Sequence, residues 1–343
     1  MINKMKKYMA ILAAVAVTLS AGQSFAETVL KGAGATFPYP LYSKWFRDYT
    51  LVDPVVAFTY DAIGSSGGVK QIMAQAVNFG ASDRFLTDEE LAAAPGKLLQ
   101  IPTVMGAVVL SYNIPGLHSE LKLTPEAVSA IYLGEISRWN DSRLVALNKE
   151  LKTIDQKIIV VHRSDGSGTT SIFTDYLSSV SSEWAGKVGK GNTVQWPVGI
   201  GGKGSKEMVE HIRTVPFSIA YMENAYTMVN NLPTAVLKNK TGRFVNPTMR
   251  SIRAAAVDAI KHVKNDYRVS LVNQAGKDAY PIVGLTWLLV YQEQKDPVKG
   301  KALVEFLNWE LKKAEKMTST LFYTPLPEKL GSMVNQVIRS IRY

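Results

Sequence analysis

The sequence predicts an α/β fold with largely parallel sheets, divided between two lobes. Short β-forming runs alternate with amphipathic segments through the first 225 residues, and this alternation is typical of helices packed against parallel sheets. The chain has 343 residues, which is more than a single hydrophobic core usually serves. In addition, three helical patterns begin directly after glycine-rich stretches, a feature that bears on function.

The strand predictions rest on runs of β-branched and aromatic residues. These runs are residues 55–60, 104–112, 158–161 and 217–221. Among the helical patterns, Thr124, Pro125 and Glu126 form a clear start signal, with a capping hydroxyl followed by proline and an acid. Residues 104–112 and 282–291 are long and uncharged, so we expect the chain to cross between the lobes there.

Residues 1–26 have the pattern of a cleaved signal peptide. Lys4, Lys6 and Lys7 precede an apolar stretch over residues 10–21, and Ser24-Phe25-Ala26 offers small residues at the cleavage positions before Glu27. A membrane anchor would need a longer apolar stretch. We therefore expect an exported chain of residues 27–343.

Composition excludes several classes of function. The net charge of +10 falls to +7 without the three lysines of the signal peptide, and the remaining lysines and arginines are scattered among acids. No nucleic-acid surface is therefore expected. The chain has no cysteine, which excludes disulfides, thiolate metal sites, cysteine nucleophiles and an N-terminal lipid anchor. We expect a protein that is free in the periplasm and not lipid-anchored, although a fully secreted protein would look the same.

Three stretches rich in glycine, serine and threonine lie directly before helical patterns. They are residues 31–37 (KGAGATF), 61–68 (DAIGSSGG) and 162–170 (HRSDGSGTT). A helix N-terminus carries unpaired N–H donors and about half a positive charge, and glycines let an anion approach those donors. A single stretch of this kind is also an ordinary helix cap. Three together predict a cage for a small tetrahedral oxoanion.

Charged residues accompany two of these stretches. Arg163 lies four residues before Ser167 and offers a planar fork suited to two oxygens. Asp165 either orients that guanidinium or is an exposed turn residue. Asp83 ends the strand-like run NFGASD, and a buried carboxylate beside an anion is tolerable only if the ligand brings a proton to donate.

The motifs GAGATFPYP, IGSSGGVKQI, NFGASD, RSDGSGTT and WPVGIGGKGS, in this order, resemble the periplasmic phosphate-binding proteins of high-affinity phosphate ABC transporters. The resemblance runs over nearly the whole exported chain. It implies a type II periplasmic-binding-protein fold, with lobes of mixed or parallel sheets joined by hinge strands. The lobes would be residues 27–111 with 282–343, and residues 112–281.

The resemblance also implies a ligand, partners and roles for particular residues. The ligand would be inorganic phosphate, which a monomeric, non-enzymatic protein delivers to an inner-membrane ABC permease and its ATPase. The lobes would close on the ion, Asp83 would accept the ligand's proton, and Asp165 would pair with the binding arginine. The ligand contacts would be Thr36, Phe37, Ser65, Asp83, Arg163, Ser167, Gly168 and Thr169.

Two residues depart from the family pattern. Arg84 follows Asp83 where a small neutral residue is expected, and His162 precedes Arg163 where another arginine is common. Arg84 would either raise the local positive potential or pair with Asp83 and weaken its role as acceptor. Both alternatives leave the ligand class unchanged and affect affinity and selectivity.

Other functions fit the sequence less well. A receptor of the same fold for sulfate or molybdate is the nearest alternative, and it is disfavoured by Asp83 because those ions bring no proton at neutral pH. Residues 64–68 match the G-x-S-x-G motif of serine hydrolases around Ser66, but no histidine has a fitting context. Residues 199–204 match G-x-G-x-x-G, with Glu223 about 20 residues later, yet a glycine-rich turn before a helix over 207–212 is favoured. No cofactor or metal site is expected.

Overall fold

The computed structural model describes residues 27–261 and 267–343, so the predicted signal peptide lies outside the described residues. The strands are β1 (Thr28–Gly34), β2 (Val56–Asp61), β3 (Phe79–Ser82), β4 (Leu98–Asn113), β5 (Lys122–Leu123), β6 (Ile159–Arg163), β7 (Ile200–Gly202), β8 (Ser218–Glu223), β9 (Val236–Lys238), β10 (Phe244–Val245), β11 (Val283–Tyr291) and β12 (Thr324–Pro325).

The helices lie between these strands and cover the sheets. They are α1 (Tyr39–Thr50), α2 (Ser65–Met73), α3 (Asp88–Ala92), α4 (Pro125–Leu133), α5 (Ser142–Val145), α6 (Gly168–Val180), α7 (Ser182–Lys187), α8 (Gly204–Thr214), α9 (Asn224–Val229), α10 (Met249–Ile260), α11 (Pro297–Thr318) and α12 (Glu328–Arg339). Within the described ranges, no helix is long and apolar enough to cross a bilayer.

The main sheet has the strand order β2-β1-β3-β11-β4-β8-β6-β7, and β12 pairs with β4 beside that path. Pairing is parallel at both flanks, where β1 joins β2 and β3, and β6 joins β7 and β8. The central strands β11 and β4 run antiparallel to their neighbours. The sheet is therefore mixed, and parallel pairing is confined to the flanks rather than predominant.

Strand β4 connects the two parallel flanks. From Leu98 to Ala107 it pairs with β11, and from Val108 to Asn113 it pairs with β8. All but its second and last residues are buried, which explains the uncharged run in the sequence. Because its partner changes from β11 to β8 at Ala107 and Val108, β4 connects the flank made of β2, β1, β3 and β11 to the flank made of β8, β6 and β7.

Aromatic side chains fill the core on both sides of β4. Trp45 and Trp287 are fully buried on the flank that contains β1 and β11, and Trp139 and Trp184 are fully buried on the flank that contains β6 and β8. Helix α1 buries one amphipathic face, whose residues recur at the 3.6-residue helical period: Leu41, Tyr42, Trp45, Phe46 and Tyr49. Packing on both sides of the sheet fixes the strand ends, and the predicted site residues lie in the loops there, at the end of β6 and in the first turns of α2 and α6.

Candidate functional site

Arg163 is the last residue of β6 and lies at the centre of the predicted site. Its backbone N–H donates to the hydroxyl of Tyr221 at 3.0 Å, which fixes the strand end. The guanidinium donates through Nε and Nη2 to the two carboxylate oxygens of Asp165, with Nε 2.6 Å from Oδ1. The side chain is only 2 % exposed. This ion pair uses one edge of the fork and leaves Nη1 outside it.

Asp165 orients the arginine and is itself held from a second direction. The N–H of Gly204, at the start of α8, donates to Asp165 Oδ1 at 3.0 Å. Burial raises the pKa of Asp165, but the hydrogen bonds and charge of Arg163 outweigh it, so the pKa lies below its ordinary value. Asp165 is thus a charged partner of Arg163, and the alternative of an exposed turn residue is wrong.

The first turn of α6 presents donors beside this pair. Ser167 is the N-cap, and its Oγ accepts from the N–H of Thr170 at 3.2 Å, which leaves the hydroxyl hydrogen free to donate elsewhere. The Oγ1 of Thr169 is buried and has no hydrogen-bond partner among the described residues. Buried hydroxyls are almost always paired, so this unpaired one is compatible with the ligand contact predicted for Thr169, which stays a prediction.

The helix starts of α2 and α6 meet closely. The N–H of Gly168 donates to Ser65 Oγ at 3.1 Å, and the N–H of Ser66 donates to the carbonyl of Gly166 at 3.0 Å. A Cβ on Gly168 would collide with Ser65 Oγ, and one on Gly64 would lie 2.5 Å from Asp165 Oδ2. Gly64 also has a φ of 84°, so glycine is required there both by conformation and by space.

The loop of residues 35–37 is held by three tyrosine hydroxyls. Tyr60, Tyr226 and Tyr323 donate in turn to the carbonyls of residues 35, 36 and 37, at 2.7, 2.5 and 2.6 Å. In a trans peptide the N–H points away from the preceding carbonyl, so the N–H groups of Thr36 and Phe37 face away from Tyr60 and Tyr226. In the described part of the chain no hydrogen bond uses either N–H.

Asp83 is buried beside these donors. Its Oδ1 accepts from the hydroxyl of Thr286 at 2.9 Å, and its Oδ2 accepts a long bond from Ser65 Oγ at 3.3 Å. Burial raises the pKa of Asp83 to about 7, with smaller opposing effects from Thr286, Arg163 and Ser65. This carboxyl therefore changes protonation near neutral pH and, when ionised, is an acceptor within a set of donors.

Some of the groups predicted to contact the ligand already form hydrogen bonds within the protein. Ser65 Oγ also accepts from the N–H of Asp83 at 3.1 Å, so its hydroxyl joins Asp83 to Gly168. The hydroxyl of Thr36 lies 2.9 Å from Ser205 Oγ. The direct contacts predicted for Ser65, for the Gly168 N–H and for the Thr36 hydroxyl stay predictions, and each requires a protein hydrogen bond to be exchanged.

The structure resolves the alternatives for Arg84. Its guanidinium forms a bidentate pair with Glu90, 2.6 Å between Nη1 and Oε2, and also donates to the carbonyl of Phe85. It does not pair with Asp83. Hydrogen bonds from Arg84 lower the pKa of Glu90, so both partners are charged and the positive potential of Arg84 is largely cancelled. His162 stacks on Trp196 with ring centroids 4.9 Å apart.

The sequence did not reveal several residues that complete the site. Thr286, Ser205 and the three tyrosines lie in other parts of the chain and have no local motif. Asn192 donates to Ser66 Oγ at 3.1 Å, and within the described ranges no histidine bonds to Ser66. The glycine-rich residues 199–204 include the edge strand β7 before α8, rather than a turn alone. The described ranges contain no cluster of three acidic or histidine side chains that could hold a metal ion.

A cavity of about 600 Å³ adjoins the site, with Ser66 and Asp83 in its wall. Its lining also includes two oppositely charged pairs, Arg84 with Glu90 and Lys190 with Asp175. Taken together, one buried guanidinium, backbone N–H groups, hydroxyls and a titrating carboxyl surround a small region. This arrangement can hold a small oxoanion that carries a proton.

Comparison with known proteins agrees with this chemistry. Residues 20–313 match the model of the PBP superfamily domain. The phosphate-binding protein PstS of Xylella fastidiosa (strain 9a5c) is 40 % identical over 89 % of this chain and 83 % of its own length. PstS of Pasteurella multocida (strain Pm70) is 40 % identical over 94 % of this chain and 92 % of its own.

A solved structure shares the fold at low sequence identity. The high-affinity periplasmic phosphate-binding protein PfluDING, bound with phosphate, superposes with a TM-score of 0.69. It is 19 % identical, and the match covers 90 % of this chain and 93 % of that one. The mixed sheet and its flanking helices are thus the two-lobed fold that the sequence predicted. The chain belongs to the PBP superfamily and, within it, to the family of the PstS phosphate-binding proteins.

Proposed function

We propose that this protein binds inorganic phosphate in the periplasm and delivers it to an inner-membrane ABC permease and its ATPase. The observation that carries the proposal is the position of Asp83, a buried carboxyl set among donors suited to an anion. A fully ionised oxoanion has no O–H to donate to the Asp83 carboxylate, so the two negative groups would repel each other. Phosphate keeps at least one proton near neutral pH and can donate it to Asp83. The names of the relatives support the same ligand.

Each predicted residue has a role in this proposal. Arg163 supplies the formal charge and is kept in place by Asp165. Backbone N–H groups of Thr36 and Phe37, together with the hydroxyls at the start of α6, donate to the phosphate oxygens. Asp83 accepts the phosphate proton. The eight contacts are Thr36, Phe37, Ser65, Asp83, Arg163, Ser167, Gly168 and Thr169.

The two lobes would close on the ion by bending at β4 and β11. We assign residues 27–111 and 282–343 to one lobe and residues 112–281 to the other. Hydrogen bonds between these parts support closure of this kind, among them Gly168 to Ser65, Asn192 to Ser66 and Tyr226 to Thr36. Phosphate binding without chemistry is proposed, because Ser66 bonds to an amide and not to a base.

Calorimetric titration with phosphate and then sulfate tests the proposal. The protein is first unfolded and refolded to strip bound ligand. We expect one phosphate per chain at about pH 8.5, where Asp83 is largely ionised, with sulfate at least about tenfold weaker. Asp83→Asn should remove most of this discrimination, because an amide can donate to sulfate. Absence of phosphate binding, or equal binding of both anions by the unaltered protein, would contradict the proposal.

The pH dependence of the same titration gives an independent check. As the pH falls through about 7, Asp83 takes up a proton and becomes a donor. Sulfate affinity should therefore rise on acidification, and the preference for phosphate should shrink. In Asp83→Asn the only pH dependence left in the preference should be that of the phosphate ion itself. A preference that widened on acidification would exclude Asp83 as the proton acceptor.

A further inference from the structure

Glu223 is a second buried carboxyl near the site and has no part in the predicted contacts. It ends β8 and caps α9, and its Oε2 accepts from the N–H of Ala225 at 2.6 Å. The residue is fully buried, and Oε1 has no hydrogen-bond partner among the described residues. A buried carboxyl oxygen without a partner is costly if the group is charged.

Glu223 Oε1 lies near Phe37, which belongs to the loop of residues 35–37. A Cβ built on Gly106 would lie 3.0 Å from Oε1 and would also meet the ring of Phe37. The hydroxyl of Tyr323 donates to the carbonyl of Phe37 at 2.6 Å and lies close enough to the Glu223 carboxyl to lower its pKa, but it forms no hydrogen bond with Oε1. The single hydroxyl hydrogen of Tyr323 is therefore on the Phe37 carbonyl in this structure, and an ionised Glu223 would be a second acceptor nearby.

Few titratable groups surround this carboxyl, and Asp83 is the one whose charge raises its pKa, whereas contacts from Tyr323 and the Tyr226 backbone lower it by less than burial raises it. Asp83 faces it from the end of β3, Tyr226 from its own helix, and Tyr323 from the segment before β12. No salt bridge joins it to a cation in the described ranges, and Arg163 is paired with Asp165. Burial first, and the charge of Asp83 in addition, raise the pKa of Glu223 well above its ordinary value.

We propose that Glu223 is a positioning residue for the bound anion, which in its protonated form donates through Oε1 to Tyr323 and so leaves the Tyr323 hydrogen on the Phe37 carbonyl. When Glu223 ionises, its carboxylate competes for that hydrogen, the loop of residues 35–37 loses one of its three tyrosine contacts, and a negative charge appears near Asp83. Both effects weaken anion binding. This inference rests on the proposed function, because the loop is a predicted donor to phosphate.

The sign of the pH dependence follows from the raised pKa. The binding-competent form is the protonated one, so affinity is retained below the pKa of Glu223 and falls as the pH rises through it. Glu223→Gln mimics the protonated form, since its amide donates to Tyr323 at every pH. Glu310→Gln is the matched control, because Glu310 is also a buried carboxyl with an unpaired Oε1 and a pKa raised by burial.

The experiment is calorimetric phosphate titration between about pH 6 and pH 9.5 for the unaltered protein and both variants. We expect Glu223→Gln to bind within about threefold of the unaltered protein at pH 7, and at least about tenfold more tightly at the alkaline end. Glu310→Gln should follow the unaltered protein throughout. Titrations of phosphate and of Asp83 are common to all three proteins, so they cancel from the ratios.

Tyr323→Phe provides a second test that does not depend on the folding of the glutamine variant. Without the hydroxyl the loop contact is absent at every pH, so binding at pH 7 should weaken and the alkaline loss should be smaller than in the unaltered protein. Profiles of Tyr323→Phe or Glu223→Gln that run parallel to the unaltered protein would overturn the inference. Lack of phosphate binding by the unaltered protein would instead overturn the proposed function.

Discussion

Two bidentate arginine–carboxylate pairs lie in the same region of this protein and differ in burial. The side chains of Arg163 and Asp165 are 2 % and 10 % exposed, whereas those of Arg84 and Glu90 are 26 % and 34 % exposed. The first pair lies at the helix starts that surround the site, and the second lines the adjoining cavity. The two pairs therefore have different roles. Asp165 orients the buried guanidinium of Arg163, whereas Glu90 cancels the charge of the partly exposed Arg84.

Removing each arginine should give the largest contrast. Arg163→Ala should weaken phosphate binding about a thousandfold, because it deletes the buried charge that faces the anion. Arg84→Ala should change affinity by no more than about threefold, because its charge is already cancelled by Glu90. Both are measured by calorimetry at the same salt concentration. Equal losses from the two substitutions would refute the distinction between the pairs.

Removing each carboxylate should give a smaller contrast, in folding stability. Asp165→Asn leaves a buried guanidinium without its counter-charge and should lower the free energy of unfolding by about 3 kcal/mol. Glu90→Gln should lower it by less than about 1 kcal/mol, because the pair is partly exposed and glutamine still suits the capping box of α3. Urea unfolding of the ligand-free proteins measures both values. If Glu90→Gln lowered the free energy of unfolding more than Asp165→Asn, burial would not determine how much each pair stabilises the fold.

The smallest effect concerns the rate of association. Glu90→Gln frees the positive charge of Arg84 at the cavity, so phosphate should associate about twofold faster at low salt. The gain should vanish in about 0.5 M salt, where exposed charges are screened. Stopped-flow fluorescence follows the rate, and Arg84→Ala combined with Glu90→Gln is the control. A rate increase that persisted in the double variant would have another origin.

The sequence predicted most regular elements because their signals are local. The runs 158–161 and 217–221 correspond to β6 and β8 with ends displaced by one or two residues, and Thr124 caps its helix as expected. Parallel pairing was overestimated, since the antiparallel centre of the sheet depends on β11, which comes from a distant part of the chain. No local pattern encodes the direction in which such a strand is inserted.

The site was predictable where one short segment carries the chemistry. Arg163, Asp165 and Ser167 lie within five residues, so their types and spacing indicated an anion site. Thr286 is 203 residues from Asp83, to which it donates, and Tyr323 is 286 residues from Phe37. These partners are ordinary residues in apolar runs, and only the folded sheet brings them to the site.

The place of β11 between β3 and β4 also bears on how the chain folds. Strands β4, β8, β6 and β7 all come from residues 98–223, so that part of the sheet can form early. Strands β1, β2 and β3 reach β4 only through residues 283–291. Until those residues have been synthesised, the edges of β3 and β4 stay without the strand that separates them, and unpaired edges favour association with other chains. A chain that stopped before residue 283 would therefore expose the edges of β3 and β4, which β11 joins into one continuous sheet in the folded protein.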